Sequence, residues 1–144
     1  MINLDFGTLV DKPIQDVFAF VADPNNMSKW NSAVVSLEQI TPGEVGVGTK
    51  FKSAGEVMGR RIEGEMQVTA YEPDTKCGFQ VQAGPMQVNI TLSFKTVGTG
   101  TKISLNAQGN PAGVFKLAEG VMVGRVKSMM EENLARLKAQ LEKS

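Results

Sequence analysis

The middle of the chain alternates between apolar and polar residues in short segments, and this alternation restricts the possible folds more than any other feature. Between Ala33 and Gln108 the segments are separated by breaks such as "TPGEVGVG", "EPDT" and "GTGT". A period of two is typical of strands that bury one face, and short breaks are typical of antiparallel hairpins. The pattern predicts about six consecutive strands. The stretch from Ile2 to Val10 alternates in the same way and predicts one more.

Helical spacing of apolar residues appears on both sides of the strand-rich region. The stretch "PIQDVFAFV" predicts a short helix, and "NNMSKWNSA" predicts a second short helix or turn before the strands begin. Beyond Asn110 the spacing is helical to about Leu141, with an amphipathic distal half. An antiparallel sheet with helices segregated from it is an α+β architecture, and only the terminal helix is long enough to cover the apolar face of the sheet.

The parity of each strand divides its residues between a face toward the core and a face toward water. In "RRIEGEMQVTAY" the parity assigns Ala70 to the inner face and Tyr71 to the wet face. On the inner faces Cys77 is the sole ionisable residue. Small residues recur there, and they are Gly55, Gly64, Ala70, Ala83 and Ala107.

Two glycines four residues apart, Gly120 and Gly124, interrupt the terminal helix on one side. Each costs a helix interior about 1 kcal/mol relative to alanine, so the pair calls for a reason. Opposite small residues of the sheet, the pair allows two interpretations. Either the helix and the sheet approach each other unusually closely, or a space for a ligand lies between them.

Composition and charge exclude several classes of function. Lys plus Arg and Asp plus Glu number 15 each, which leaves no basic footprint for nucleic acid or an anionic membrane. The single cysteine, Cys77, precludes an intrachain disulfide and suits a reducing compartment. Histidine is absent, and neither a signal peptide nor a membrane span is evident. We expect one cytoplasmic domain over residues 1–144 without metal or cofactor.

The region "IQDVFAFVADPNNMSKWNSAVVSLEQI" resembles the START-like (SRPBCC) superfamily, which includes birch-pollen-allergen-like proteins and polyketide cyclase/dehydrase relatives. The stretch "PGEVGVGTKFK" is similar to the family's entry to its third strand. The resemblance extends over essentially the whole chain. It implies a helix-grip fold, in which a seven-stranded antiparallel sheet wraps around a long C-terminal helix, with two short helices between strands 1 and 2. It also implies a deep apolar cavity between sheet and helix, and hydrophobic ligands such as lipids, quinones or polyketides.

Three functions are compatible with these features. The first is a carrier or sensor that holds a small hydrophobic or aromatic molecule in the cavity. The expected lining consists of Trp30, Phe51, Val57, Met66, Phe79, Val88, Ile90, Leu117, Gly120, Val121 and Gly124. For each of these residues, ordinary core packing is the alternative role.

The second function is a polyketide cyclase or aromatase that shapes its substrate in the same cavity, although candidate acids and bases are few. Cys77 has no histidine to activate it, and Arg60 and Arg61 are either hairpin charges or groups at the cavity mouth. The third function is a protein-interaction module, in which the glycine pair marks a contact surface. A homodimer remains open in all three cases.

Overall fold

The computed structural model describes residues 2–32, 34–57, 59–83, 86–110 and 119–143, with backbone only for a few of them at segment ends. A first strand precedes two short helices and a 3₁₀ turn, six strands follow, and a long helix ends the chain. The elements are β1 Ile2–Val10, α1 Ile14–Val21, the 3₁₀ turn Pro24–Asn26, α2 Met27–Trp30, β2 Val34–Gln39, β3 Lys50–Val57, β4 Arg60–Glu72, β5 Lys76–Ala83, β6 Met86–Val97, β7 Gly100–Asn110 and α3 Glu119–Lys143.

The seven strands form one antiparallel sheet in the order β1-β7-β6-β5-β4-β3-β2. Consecutive strands from β2 to β7 pair as hairpins, and β1 closes the far edge against β7. The predicted α+β helix-grip architecture is therefore confirmed, including two short helices between the first and second strands. Consecutive strands are neighbours because two or three residues connect each pair from β3 to β7, and the ten residues between β2 and β3 are too few for a crossover helix.

The short helices follow from local hydrogen bonding. The carbonyl oxygen of Pro13 accepts the backbone N–H groups of Asp16 and Val17 at 3.1 Å, which starts α1. The carboxylate of Asp23 accepts the N–H of Asn25 at 3.0 Å and caps the 3₁₀ turn. The hydrogen bonds of Pro13 and Asp23 thus set the starts of α1 and of the 3₁₀ turn before β2, and α1 and α2 pack against the sheet.

The α1 helix covers one end of the inner face of the sheet. Its Phe18 ring makes edge-on contacts with Tyr71 and Phe94, with ring centroids 5.4 Å apart in both cases. Below it the inner-facing residues Val10, Leu92, Phe94, Ile103 and Leu105 are all buried. This end of the sheet is a sealed hydrophobic core.

The long helix α3 packs mainly on β1 and α2. Its 25 residues correspond to about 37 Å. The apolar stripe predicted from the sequence, Met130, Leu134, Leu137 and Leu141, is buried. The sequence predicts that this helix begins at about residue 111, but residues 111–118 lie outside the described part of the structure.

Two polar contacts fix the C-terminal end of α3 to the end of β1. Lys138 donates from Nζ to the carbonyl oxygen of Leu9 at 2.8 Å. The backbone N–H of Asp11 donates to the carboxylate of Glu142 at 3.0 Å. Because both contacts involve the last turns of the helix, they position its distal half on β1.

Candidate functional site

The inner face of the sheet is sealed at one end and partly open at the other. Away from α1 the inner-facing apolar side chains are only half-buried, although they belong to the same face as the sealed core. We call this set the open strip, and it consists of Leu4, Val81, Val88, Ile90 and Ala107.

The register of the strands makes the open strip continuous. Ala107 pairs with Leu4 on one side and with Ile90 on the other. Val88 pairs with Val81 in the next row along the strands. The strip therefore crosses β1, β7, β6 and β5 as one apolar surface.

Three of the residues predicted to line a cavity are fully buried beside this strip. Phe51, Met66 and Phe79 are at most 1% exposed and belong to the main hydrophobic cluster. Phe79 pairs directly with Ile90, and Met66 with Val81, so they border the strip. They continue the inner face from the open strip onto β5, β4 and β3 as fully buried side chains.

The other predicted lining residues have different positions. Val88 and Ile90 lie in the open strip itself, and Trp30 is 2% exposed at the end of α2. Leu117 lies outside the described residues. Val57, Gly120 and Val121 lie in β3 and α3, but the structure describes only their backbone.

The glycine pair can be examined at Gly124. The residue is exposed, and no heavy atom of the described residues would lie within 4 Å of a Cβ placed there, apart from the neighbouring backbone of its own helix. Close approach is instead found inside the sheet at Gly64, where a Cβ would lie 2.9 Å from that of Ala83. Close packing against the sheet is therefore not the reason for Gly124.

Tyr71 and Ala70 are placed on the opposite faces from those predicted. Val68 pairs with Phe79, but Ala70 pairs with Gly78 and Tyr71 with Cys77, so Thr69 is an extra residue in β4. Such a β-bulge exchanges the two faces for every residue beyond it. Tyr71 therefore faces inward, against Phe18, and Ala70 faces outward beside Gly78. The sequence prediction was wrong because parity was continued through the bulge.

Ionisable groups are rare on the inner face. Among the inner-facing side chains that the structure describes in the strands, the only ionisable ones are Tyr71 and Cys77. Burial raises the pKa of the Cys77 thiol to about 12. The thiol is therefore neutral at physiological pH and is a poor nucleophile.

In the charged hairpin between β3 and β4, Arg61 lies on the outer face of the sheet. Arg61 is exposed and pairs with Glu63 at 3.4 Å, two residues along the outer face of β4. The side chain of Arg60 lies outside the described part of the structure. Arg61 is thus a solvated hairpin charge.

The outer face carries two polar depressions. One of about 460 Å³ spans β1, β7 and β6 over the small residues Gly7, Ser93 and Ser104. A smaller one of about 170 Å³ lies over β2 to β4. Charged side chains line both, Asp5 and Lys102 in the first and Glu38, Lys52, Arg61 and Glu63 in the second, which does not suit a hydrophobic ligand.

Within residues 2–32, 34–57, 59–83, 86–110 and 119–143 no helix has the length and apolar character needed to cross a bilayer. No group of three or more acidic or cysteine side chains in the same ranges is placed to hold a metal ion.

A family model described as "Polyketide cyclase / dehydrase and lipid transport" matches residues 1–142. The chain belongs to this family. The START-like resemblance seen in the sequence is thereby confirmed. No curated protein matches the chain.

Solved structures with the same fold include a conserved protein from Geobacillus kaustophilus, with a TM-score of 0.81, 17% identity and coverage of 99% of this chain and 97% of that one. The Zhui aromatase/cyclase from Streptomyces sp. R1128 aligns with a TM-score of 0.77 and 11% identity over 99% and 94%. Ara h 8.0201 aligns with a TM-score of 0.73 and 13% identity over 99% of both chains. At these identities the similarity establishes the fold and not the activity.

Proposed function

We propose that the protein binds a small, uncharged hydrophobic or aromatic molecule between the inner face of the sheet and α3, as a carrier or sensor. The observation that carries the proposal is the open strip. It is a continuous apolar surface that stays accessible on a face whose other end is sealed. An apolar surface that the described chain covers only in part is a common form of a small-molecule site.

The scarcity of charge on the inner face supports an uncharged ligand. A buried carboxylate or ammonium group needs a partner of opposite charge, and the described inner-facing residues of the strands include none. The two ionisable side chains described there, Tyr71 and Cys77, lie at the sealed end, in the row of Leu92 and Leu105. The family description, which includes lipid transport, agrees with an apolar cargo.

The test fills the open strip and compares the result with a matched substitution on the other face. Ala107→Phe places a ring in the centre of the strip, and Ser104→Phe places the same ring on the exposed outer face of β7. Binding of the uncharged fluorophore N-phenylnaphthylamine is titrated for each folded variant. We expect Ala107→Phe to weaken binding at least about tenfold and Ser104→Phe to leave it unchanged. Unchanged binding by a folded Ala107→Phe variant contradicts the proposed site.

Native mass spectrometry of freshly purified protein supplies an independent test. A retained molecule identifies the ligand class directly. We expect the wild-type protein to retain an apolar, uncharged compound. The same compound should be retained by the Ser104→Phe variant and be absent from the Ala107→Phe variant. A retained polar or charged compound opposes the proposal.

An aromatase or cyclase activity is the second candidate, and it is favoured by the inward position of Tyr71, one row of the sheet away from Phe79 and Ile90 at the border of the open strip. Its phenol is the only side-chain hydroxyl with an acidic proton among the described inner-facing residues of the strands, and a hydroxyl is a plausible general acid for a polyketide carbonyl. Incubation with a poly-β-keto substrate tests this role. A rate above background that falls at least about a hundredfold in Tyr71→Phe supports catalysis. A rate equal to background excludes catalysis, and the carrier function is then the only one of the two that remains.

A further inference from the structure

Trp30 has a buried hydrogen-bond donor without an acceptor. Its side chain is 2% exposed, and its indole Nε1 is the one buried side-chain nitrogen or oxygen, among the described residues, that has no hydrogen-bond partner. An indole N–H only donates, and a buried donor that loses water without gaining an acceptor carries a substantial free-energy cost. Such a cost in an otherwise complete core requires an explanation.

The polar groups around Trp30 are satisfied, which sets its indole apart. The carbonyl oxygen of Trp30 accepts from Nη1 of Arg136 at 2.9 Å. Asn133 donates from Nδ2 to Oδ1 of Asn31 at 3.0 Å, and its own Oδ1 accepts from both the N–H and the hydroxyl of Ser32 at 3.1 Å. The fold thus satisfies the buried amides next to Trp30 and leaves one donor of the same region free.

Trp30 also belongs to the hydrophobic cluster that the open strip borders. Phe51, Met66 and Phe79 are members of this cluster. Val81, Ile90 and Ala107 of the open strip pack against it. The open strip and Trp30 are therefore parts of one apolar interior, which is the basis for a ligand that extends from the strip toward the free donor.

We propose that Nε1 of Trp30 donates a hydrogen bond to a neutral carbonyl oxygen of the bound ligand. This inference rests on the proposed function and makes Trp30 the polar anchor of the site. A carbonyl matches the donor because it accepts without bringing a donor of its own, whereas a hydroxyl adds a proton that needs another acceptor. A carboxylate does not match, since the described inner-facing residues of the strands provide no cation to balance it.

The test uses two ligands that differ only in the group between their two phenyl rings, which is a carbonyl in benzophenone and a methylene in diphenylmethane. The chain has one tryptophan, so a ¹⁵N–¹H spectrum contains a single indole cross-peak. We expect benzophenone to move the indole proton to lower field and diphenylmethane, at the same occupancy, to lack this shift. Equal shifts with the two ligands overturn the proposed hydrogen bond.

Trp30→Phe completes a double-mutant cycle with the same two ligands. The substitution removes the N–H and keeps an aromatic ring, so it should weaken benzophenone binding about three- to tenfold more than diphenylmethane binding. Equal losses for the two ligands contradict the anchor role. If Trp30→Phe does not fold, the wild-type spectra still decide the question.

Two further results have defined meanings. If neither compound binds the wild-type protein, the proposed function itself fails, and the anchor fails with it. If the indole proton of the ligand-free protein shows magnetisation transfer to a bound water, and benzophenone leaves this transfer intact, the partner of Trp30 is an ordered water and the carbonyl assignment is wrong.

Discussion

Replacement of Asn133 by alanine is expected to destabilise the fold strongly, because this one side chain connects α3 to the link between α2 and β2. Asn133 is completely buried, and its partners Asn31 and Ser32 lie more than 100 residues away in sequence. Its Oδ1 accepts from Ser32 and from Arg136, and its Nδ2 donates to Asn31. The distal half of α3 therefore depends on Asn133 for its position on α2.

The magnitude follows from which partners remain buried in the variant. Arg136 and Ser32 are exposed and are able to turn to water, but the side chain of Asn31, which is 5% exposed, loses its hydrogen bond to Asn133. Loss of a hydrogen bond by a buried group costs about 1–3 kcal/mol. A few tenths return because alanine favours the helix. We expect a net loss of about 2 kcal/mol in the free energy of unfolding, or roughly 4–8 °C in Tm.

The assay is urea unfolding followed by far-ultraviolet circular dichroism, with Asn106→Ala as the control. Asn106 also makes two side-chain hydrogen bonds, at 2.8 Å to Asn3 and Asp5, but on the exposed outer face. Water replaces these bonds, so the control should change the free energy of unfolding by less than about 0.5 kcal/mol. Equal effects of the two substitutions, at an unchanged m-value, refute the argument from burial.

Three further predictions test individual positions. Gly124→Ala should stabilise the protein by about 1 kcal/mol in thermal unfolding, because the helix gains a better former in open space, whereas Gly64→Ala should destabilise it, because the new Cβ meets the neighbouring strand. Destabilisation by Gly124→Ala contradicts the open surroundings. The raised pKa of Cys77 means that the unfolded chain releases this proton above about pH 9 while the folded chain keeps it up to about pH 12. Stability should therefore fall as the pH rises through this range, and at about pH 10 the wild type should lose about 1.4 kcal/mol that Cys77→Ala does not lose, as measured by urea midpoints at neutral and alkaline pH. Tyr71→Ala should lower the free energy of unfolding by about 2 kcal/mol, because the contact with Phe18 is lost. A negligible change would mean that Tyr71 faces water and not the core.

Most of the fold could be predicted from the sequence, because its elements are specified by local periodicity. Alternation in each strand indicates both the strand and its buried face, and the apolar stripe of Met130, Leu134, Leu137 and Leu141 indicates the covering face of α3. Hairpins join neighbouring strands, so the order β2 to β7 follows from the chain itself. The scarcity of charge on the inner face was likewise evident from parity.

The site depends on relations that local periodicity does not contain. The bulge at Thr69 is a matter of register between β4 and β5, and it alone decides that Tyr71 faces the core. The boundary between the sealed core and the open strip depends on where α1 and α3 come to rest on the sheet.

The hydrogen-bond state of Trp30 also depends on contacts between distant parts of the chain. Arg136 of α3 donates to the carbonyl oxygen of Trp30, and Asn133 of α3 donates to the side chain of Asn31. The indole N–H of Trp30 has no partner. Periodicity assigns a residue to a face. Its partners are decided only when segments about a hundred residues apart pack together, and a single extra residue in one strand is enough to reverse the faces beyond it.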